Sequence, residues 1–144
     1  MLRLSSNHLD GAVGVAVGKV LATNTVLRHL VLSSNQLGAS GGQGVAVGLA
    51  SNTALMTLDL HGNNLDGAAG VALANALAVN NTLVTLKLHQ NNLDRDAGHA
   101  VAAALVQNTT LASLSLHLNN LGEEAASAVR NAWGSRGGDG SLEL

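Results

Sequence analysis

Leucines fall two apart in short segments along the chain, as Leu30 and Leu32, Leu58 and Leu60, Leu86 and Leu88, Leu114 and Leu116. Side chains two apart share one side of an extended strand, so each segment predicts a short β-strand with one face in a core and the intervening residue facing the other way. Between these segments the apolar spacing changes to four, as Val17 with Leu21, Val45 with Leu49, Leu73 with Leu77, Val101 with Leu105 and Val129 with Trp133. That spacing is helical. Asp10, Asp66 and Asp94 stand just before these stretches, where a carboxylate can accept from free backbone N–H groups, and Glu123 and Glu124 suit a helix start through the dipole. The pattern predicts a strand followed by a helix, over and over.

The alternation has a fixed period. Asn7, Asn35, Asn63, Asn91 and Asn119 are each 28 residues apart, inside a frame exemplified by Leu27, Leu30, Leu32, Asn35 and Leu37. The frame recurs with Leu55, Leu58, Leu60, Asn63 and Leu65, with Leu83, Leu86, Leu88, Asn91 and Leu93, and with Leu111, Leu114, Leu116, Asn119 and Leu121. Partial copies stand at the ends, with Leu2, Leu4, Asn7 and Leu9, and with Leu142 and Leu144. This frame resembles the leucine-rich repeat. The 28-residue period with a helical second half is similar to the ribonuclease-inhibitor-like subclass, as in the leucine-rich-repeat domains of NOD-like receptors. The resemblance implies an α/β solenoid, a curved parallel sheet inside and helices outside, of about five open-ended repeats. Residues 1–144 are read as one domain, with units near 1–26, 27–54, 55–82, 83–110 and 111–138 and a partial unit 139–144. The asparagines are expected to bond the backbone where it leaves each strand, and Gly14, Gly42, Gly70, Gly98 and Ala126 to let each helix lie close to the sheet.

Two stretches depart from the frame. The segment Ala39–Ala50 contains Gly41, Gly42, Gly44 and Gly48, and glycine inside an exposed helix costs up to about 1 kcal/mol against alanine, so this helix is expected to be the least stable. Near the C-terminal end Arg136 stands where the period calls for asparagine and Asp139 where it calls for leucine, within a stretch Gly134–Gly140 that reads as a loop. Trp133 there can cover apolar surface. Val15, Val47 and Val71 fall on outward helix positions. No polar cap is visible before Leu2, so association end to end is expected through Leu2, Leu4, Leu142 and Leu144.

Composition narrows the function. A net charge of −2 with 11% charged residues gives no phosphate-binding footprint, so nucleic acid is not an expected partner. No apolar run is long enough to span a membrane and no secretory leader is visible. With no cysteine, disulfides and thiolate chemistry are excluded, and a cytoplasmic setting is expected. What chemistry remains stands on the inner sheet face. Between the paired leucines come Arg3, Val31, Asp59, Lys87, Ser115 and Glu143, and beyond them Ser5, Ser33, His61, His89 and His117. Asp59 and Lys87 are expected to form a cross-strand ion pair. Ser33, Asp59 and His61 name the members of a hydrolase triad, but no nucleophile turn or oxyanion hole accompanies them. His61, His89 and His117 on adjacent strands form a ladder, whose convergence on one metal would strain their rotamers, so no metal and no cofactor is assigned. Coupling along the ladder is expected to lower its pKa values.

The chain is therefore expected to be no enzyme but a protein-interaction module whose concave face carries the partner-binding residues Arg3, His29, Asp59, His61, Lys87, His89 and His117. The resemblance implies the same, since similar arrays serve innate-immune receptors, ribonuclease inhibitors and actin-regulating proteins. Two alternatives are a GTPase-activating array similar to the Ran GTPase activator, whose functional residues find no match here, and a scaffold segment of a larger assembly.

Overall fold

The computed structural model describes residues 1–137 and 140–144; Gly138 and Asp139, part of the expected loop and the site of the missing leucine, lie outside the described residues. Strands and helices alternate without exception: β1 (Leu2–Arg3), α1 (Gly11–Leu21), β2 (His29–Val31), α2 (Gly38–Ser51), β3 (Thr57–Asp59), α3 (Gly67–Val79), β4 (Thr85–Lys87), α4 (Arg95–Gln107), β5 (Ser113–Ser115), α5 (Gly122–Gly134) and β6 (Ser141–Glu143). The strands form one parallel sheet in chain order, and each residue pairs with the one a period later, as Leu30 with Leu58 and Leu58 with Leu86. The paired leucines in and just past β2 to β5 are no more than 1% exposed, which sets the sheet's core face against the helices. The architecture is the expected α/β leucine-rich-repeat solenoid.

Local chemistry starts each helix. Asp10, Asp66 and Asp94 cap α1, α3 and α4 by accepting from the N–H groups of Val13, Ala69 and Ala97. At the same position in the other two repeats stand Gly38 and Gly122, with φ of 57° and 73°. A Cβ there would meet nothing within 4 Å, so glycine is selected by the left-handed backbone and not by crowding. These helices begin without a side-chain cap.

Asparagines hold the repeats together along two lines. In the first, Asn35 donates through Nδ2 to Leu4 O and Leu32 O, and Asn91 repeats this toward Leu60 O and Leu88 O. Oδ1 of Asn91 accepts from the N–H groups of Asn63 and Leu65. The second line, Asn52, Asn80 and Asn108, sits where each helix returns to its strand. Each donates to two carbonyls of the preceding repeat, Asn80 to Leu49 O at 2.8 Å and Asn52 O at 2.9 Å, and accepts through Oδ1 from the leucine N–H three residues on. Buried peptide groups that the short strands leave unpaired are satisfied in this way. Arg136 occupies the next position of that line and donates to Leu111 O at 2.6 Å while lying over the Trp133 ring, 4.6 Å from its centroid. Burial lowers its pKa. Trp133 packs against the core, as expected.

Two expectations need correction. The glycines of α2 are not exposed weak points, because Gly41, Gly42 and Gly48 are buried and α1 approaches α2 through its backbone. A Cβ on Gly18 would lie 1.8 Å from Gly44 O, and one on Gly14 would lie 2.4 Å from the Gly41 Cα. The small residues at the helix starts likewise serve the neighbouring helix and not the sheet, since a Cβ on Gly70 would meet the Ala97 Cβ at 2.5 Å and Leu93 at 2.9 Å. On the outer surface Val47 is 74% exposed and Val15 is 37% exposed, while Val71 is half-buried.

Candidate functional site

Side chains opposite the leucine core form three columns on the concave face. The first runs Arg3, Val31, Asp59, Lys87, Ser115 and Glu143, in strict strand register. The second, His29, Thr57, Thr85, Ser113 and Ser141, was seen in the sequence only through His29. His29 Nδ1 lies 3.0 Å from Thr57 Oγ1, and the Ser141 and Ser113 hydroxyls are 2.9 Å apart. Just past the strands stands the third column, Ser5, Ser33, His61, His89 and His117. All seven residues singled out from the sequence therefore share this face.

The histidines are stacked. His61 and His89 have ring centroids 4.4 Å apart with planes 10° from parallel, and His89 and His117 follow at 4.5 Å and 13°. Each ring meets a different neighbour. His61 Nδ1 is 2.8 Å from Asp59 Oδ1, and the same oxygen accepts from the His61 backbone N–H at 3.1 Å. His117 Nδ1 is 3.5 Å from Glu143 Oε2, which also accepts from the Ser115 hydroxyl. That hydroxyl bond, aided by His117, His89 and Lys87 and opposed by desolvation, lowers the Glu143 pKa. His89 Nδ1 is buried without a partner, its i−2 neighbour being Lys87 where His61 has Asp59. Burial first, then the charges of His61 and His117, hold the His89 imidazole below the ordinary histidine value; Asp59 pulls upward and Lys87 downward.

The expected ion pair between Asp59 and Lys87 does not form: the two are register partners, yet their charged atoms are not within 4 Å, and Asp59 is bonded to His61 instead. His61 stands two residues on from Asp59, so that its N–H and ring both reach the carboxylate, a closer and better directed contact than a lysine reaching across from the next strand. The triad is not assembled either, because the Ser33 hydroxyl bonds Ser5 at 2.8 Å and not His61. Near-parallel rings aim their nitrogens side by side and not at one point, and among the described residues no group of three or more His, Cys, Asp or Glu is set to hold a metal ion. What the arrangement can do chemically is recognise polar and charged groups.

A further column went unread in the sequence. Ser6, Ser34, Gly62, Gln90 and Leu118, one after each residue of the serine–histidine column, all take a left-handed backbone with φ between 55° and 65°. Gly62 is the sole glycine among them, and aligning the period on it was the available signal. Away from the concave face, a depression of about 800 Å³ opens at the C-terminal edge between Leu105, Leu111, Trp133 and Arg136. Its lining includes none of the concave columns.

Comparison with known proteins agrees with this architecture. A family model described as "Leucine Rich repeat" matches residues 23–46, 51–74 and 107–129. No curated protein sequence matches the chain. A solved structure titled "Leiomodin-1 Actin-Binding Site 2 (ABS2)" is similar with a TM-score of 0.81 and 23% identity, covering 94% of this chain and 79% of that one. The tropomodulin C-terminal domain of Caenorhabditis elegans is similar with a TM-score of 0.75 and 14% identity, covering 94% and 84%. At these identities the two structures speak for the fold. The chain carries leucine-rich repeats on a leucine-rich-repeat solenoid.

Proposed function

We propose that this chain is a non-catalytic protein-interaction module that binds its partner on the concave face, in the ribonuclease-inhibitor-like manner that the 28-residue period and helical outer half support. One observation carries the reading. The leucines and asparagines repeat from unit to unit as far as Leu121, whereas the concave register column changes from Arg3 to Val31, Asp59, Lys87, Ser115 and Glu143. A frame that fixes the backbone and leaves the column facing away from the leucine core free to differ in each repeat is suited to recognising one extended protein surface. The outer surface offers less: α2 and α3 contain no charged residue at all. The missing cysteines support a cytoplasmic setting, and the apolar ends support self-association as a secondary property.

Because one structure of this fold is titled an actin-binding site, actin is the first partner to test. A photo-crosslinking residue is placed at position 87 on the concave face or at position 47 on α2, and each protein is incubated with actin and with cell extract. The reading expects adducts from position 87 and none from position 47. Adducts from position 47 alone contradict it, and accelerated GTP hydrolysis by a small GTPase would favour the regulatory alternative.

A further inference from the structure

The concave face changes height between β2 and β3. On β2 and just past it the side chains are Val31 and Ser33; their partners on and past β3 are Asp59 and His61, so a hydroxymethyl group adjoins a full imidazole. One face of the His61 ring is covered by His89 at 4.4 Å. The other faces the short serine column, where Ser33 and Ser5 bond each other and retain acceptor lone pairs. At the foot of this wall lies the Asp59 carboxylate, its side chain only 10% exposed. Oδ1 is taken up by the two bonds from His61, while Oδ2 receives none from the described residues and is not fully enclosed. No lysine or arginine among the described residues lies within 4 Å of it.

A carboxylate this buried is stabilised by each further donor it can hold, and Oδ2 has none. The donor that fits has a definite shape. A guanidinium is a planar cation that lies flat on a ring face and presents a fork of N–H donors at its edge, so one group can stack on His61, donate to Asp59 Oδ2 and donate to a serine hydroxyl at once. An ammonium has neither the plane nor the fork.

We propose that this step between β2 and β3 is a receptor for an arginine side chain of the protein partner. The site itself is a property of the chain; only the identity of what delivers the arginine rests on the concave-face reading.

The test uses the whole chain and three capped tripeptides, Gly-Arg-Gly, Gly-Lys-Gly and Gly-citrulline-Gly, titrated by NMR. The arginine peptide is expected to shift Val31, Ser33, Asp59 and His61 and to bind about tenfold more tightly than the citrulline peptide, as one charge-assisted hydrogen bond warrants. Asp59→Asn keeps an acceptor oxygen for His61 and so keeps the fold, and it should remove that preference. Val31→Arg places a guanidinium on the register neighbour of Asp59, and it should block the peptide without lowering the unfolding midpoint. Equal binding of the lysine or citrulline peptide, shifts outside this step, or no shifts overturn the proposal. If the arginine peptide behaves as expected while crosslinks to the partner arise only at position 47, the receptor stands and the concave-face reading falls; crosslinks at position 87 with no response to the peptide give the reverse.

Discussion

The helical layer and the concave face of this solenoid obey opposite rules. Between α1 and α2 the fit is so close that a single methyl on Gly18 would collide with a backbone oxygen, and along the asparagine lines each amide serves several peptide groups. On the concave face the same 28-residue step carries Asp59, Lys87 and Ser115 in turn, with no backbone change from one strand to the next. The difference teaches where selection for folding ends. Positions whose side chains bond the backbone of the adjacent repeat recur, as Asn52, Asn80 and Asn108 do, and positions facing away from the leucine core need not.

The largest contrast is expected at the asparagines. Asn80→Ala strands Leu49 O, Asn52 O and Leu83 N in a buried site and should cost about 4 kcal/mol in urea unfolding, whereas Lys87→Ala on the concave face should change stability by no more than about 0.5 kcal/mol. An equal cost for both would erase the distinction. Next comes the helical seam, where Gly18→Ala should cost about 3 kcal/mol because the obstacle is backbone and cannot turn aside. The matched change at Gly134, where nothing lies within 4 Å of the added methyl, should instead stabilise by about 0.5 kcal/mol. A gain at both sites would mean that the helices are free to move apart.

A smaller effect sits at the rim of the concave face. Leu118 is 71% exposed and holds φ at 56°, so Leu118→Gly should relieve a left-handed backbone and raise stability by about 1 kcal/mol. A loss there would show that the leucine side chain makes a contact of its own. The smallest expected effect is electrostatic. Because the folded His89 pKa lies below its unfolded value, the unfolded chain takes up the proton first. The stability His89 contributes is thus present above about pH 6.5 and is lost as pH falls from there through the folded pKa. Unfolding followed against pH should slope downward in that window, and His89→Gln should flatten the slope; an unchanged slope would detach the effect from this residue.

Most of the architecture was legible because it is periodic: one period located strands, helices, both partial ends and the asparagine line through Asn35, Asn63 and Asn91. What escaped was set by neighbours that a single repeat does not reveal. The glycines of α2 read as weakness until α1 supplied the backbone that requires them. Asp59 read as the partner of Lys87 because strand register was legible, while its bonds to the His61 N–H and ring came only with the structure. The left-handed column was hidden because Ser34, Gln90 and Leu118 are not residues that advertise that conformation. The concave site was legible as a set of positions, and the stacking that turns three histidines into one wall came only with the structure.

The central claim is that folding and recognition use separate residues on opposite sides of the sheet. It is tested most directly by measuring, on one preparation of the double variant Asp59→Asn with Lys87→Ala, both the thermal midpoint and the affinity for the crosslinked partner. The expected result is an unchanged midpoint with affinity reduced at least about tenfold, while Val47→Arg on α2 leaves affinity intact. Affinity that survives the concave double change and falls with Val47→Arg would contradict the account.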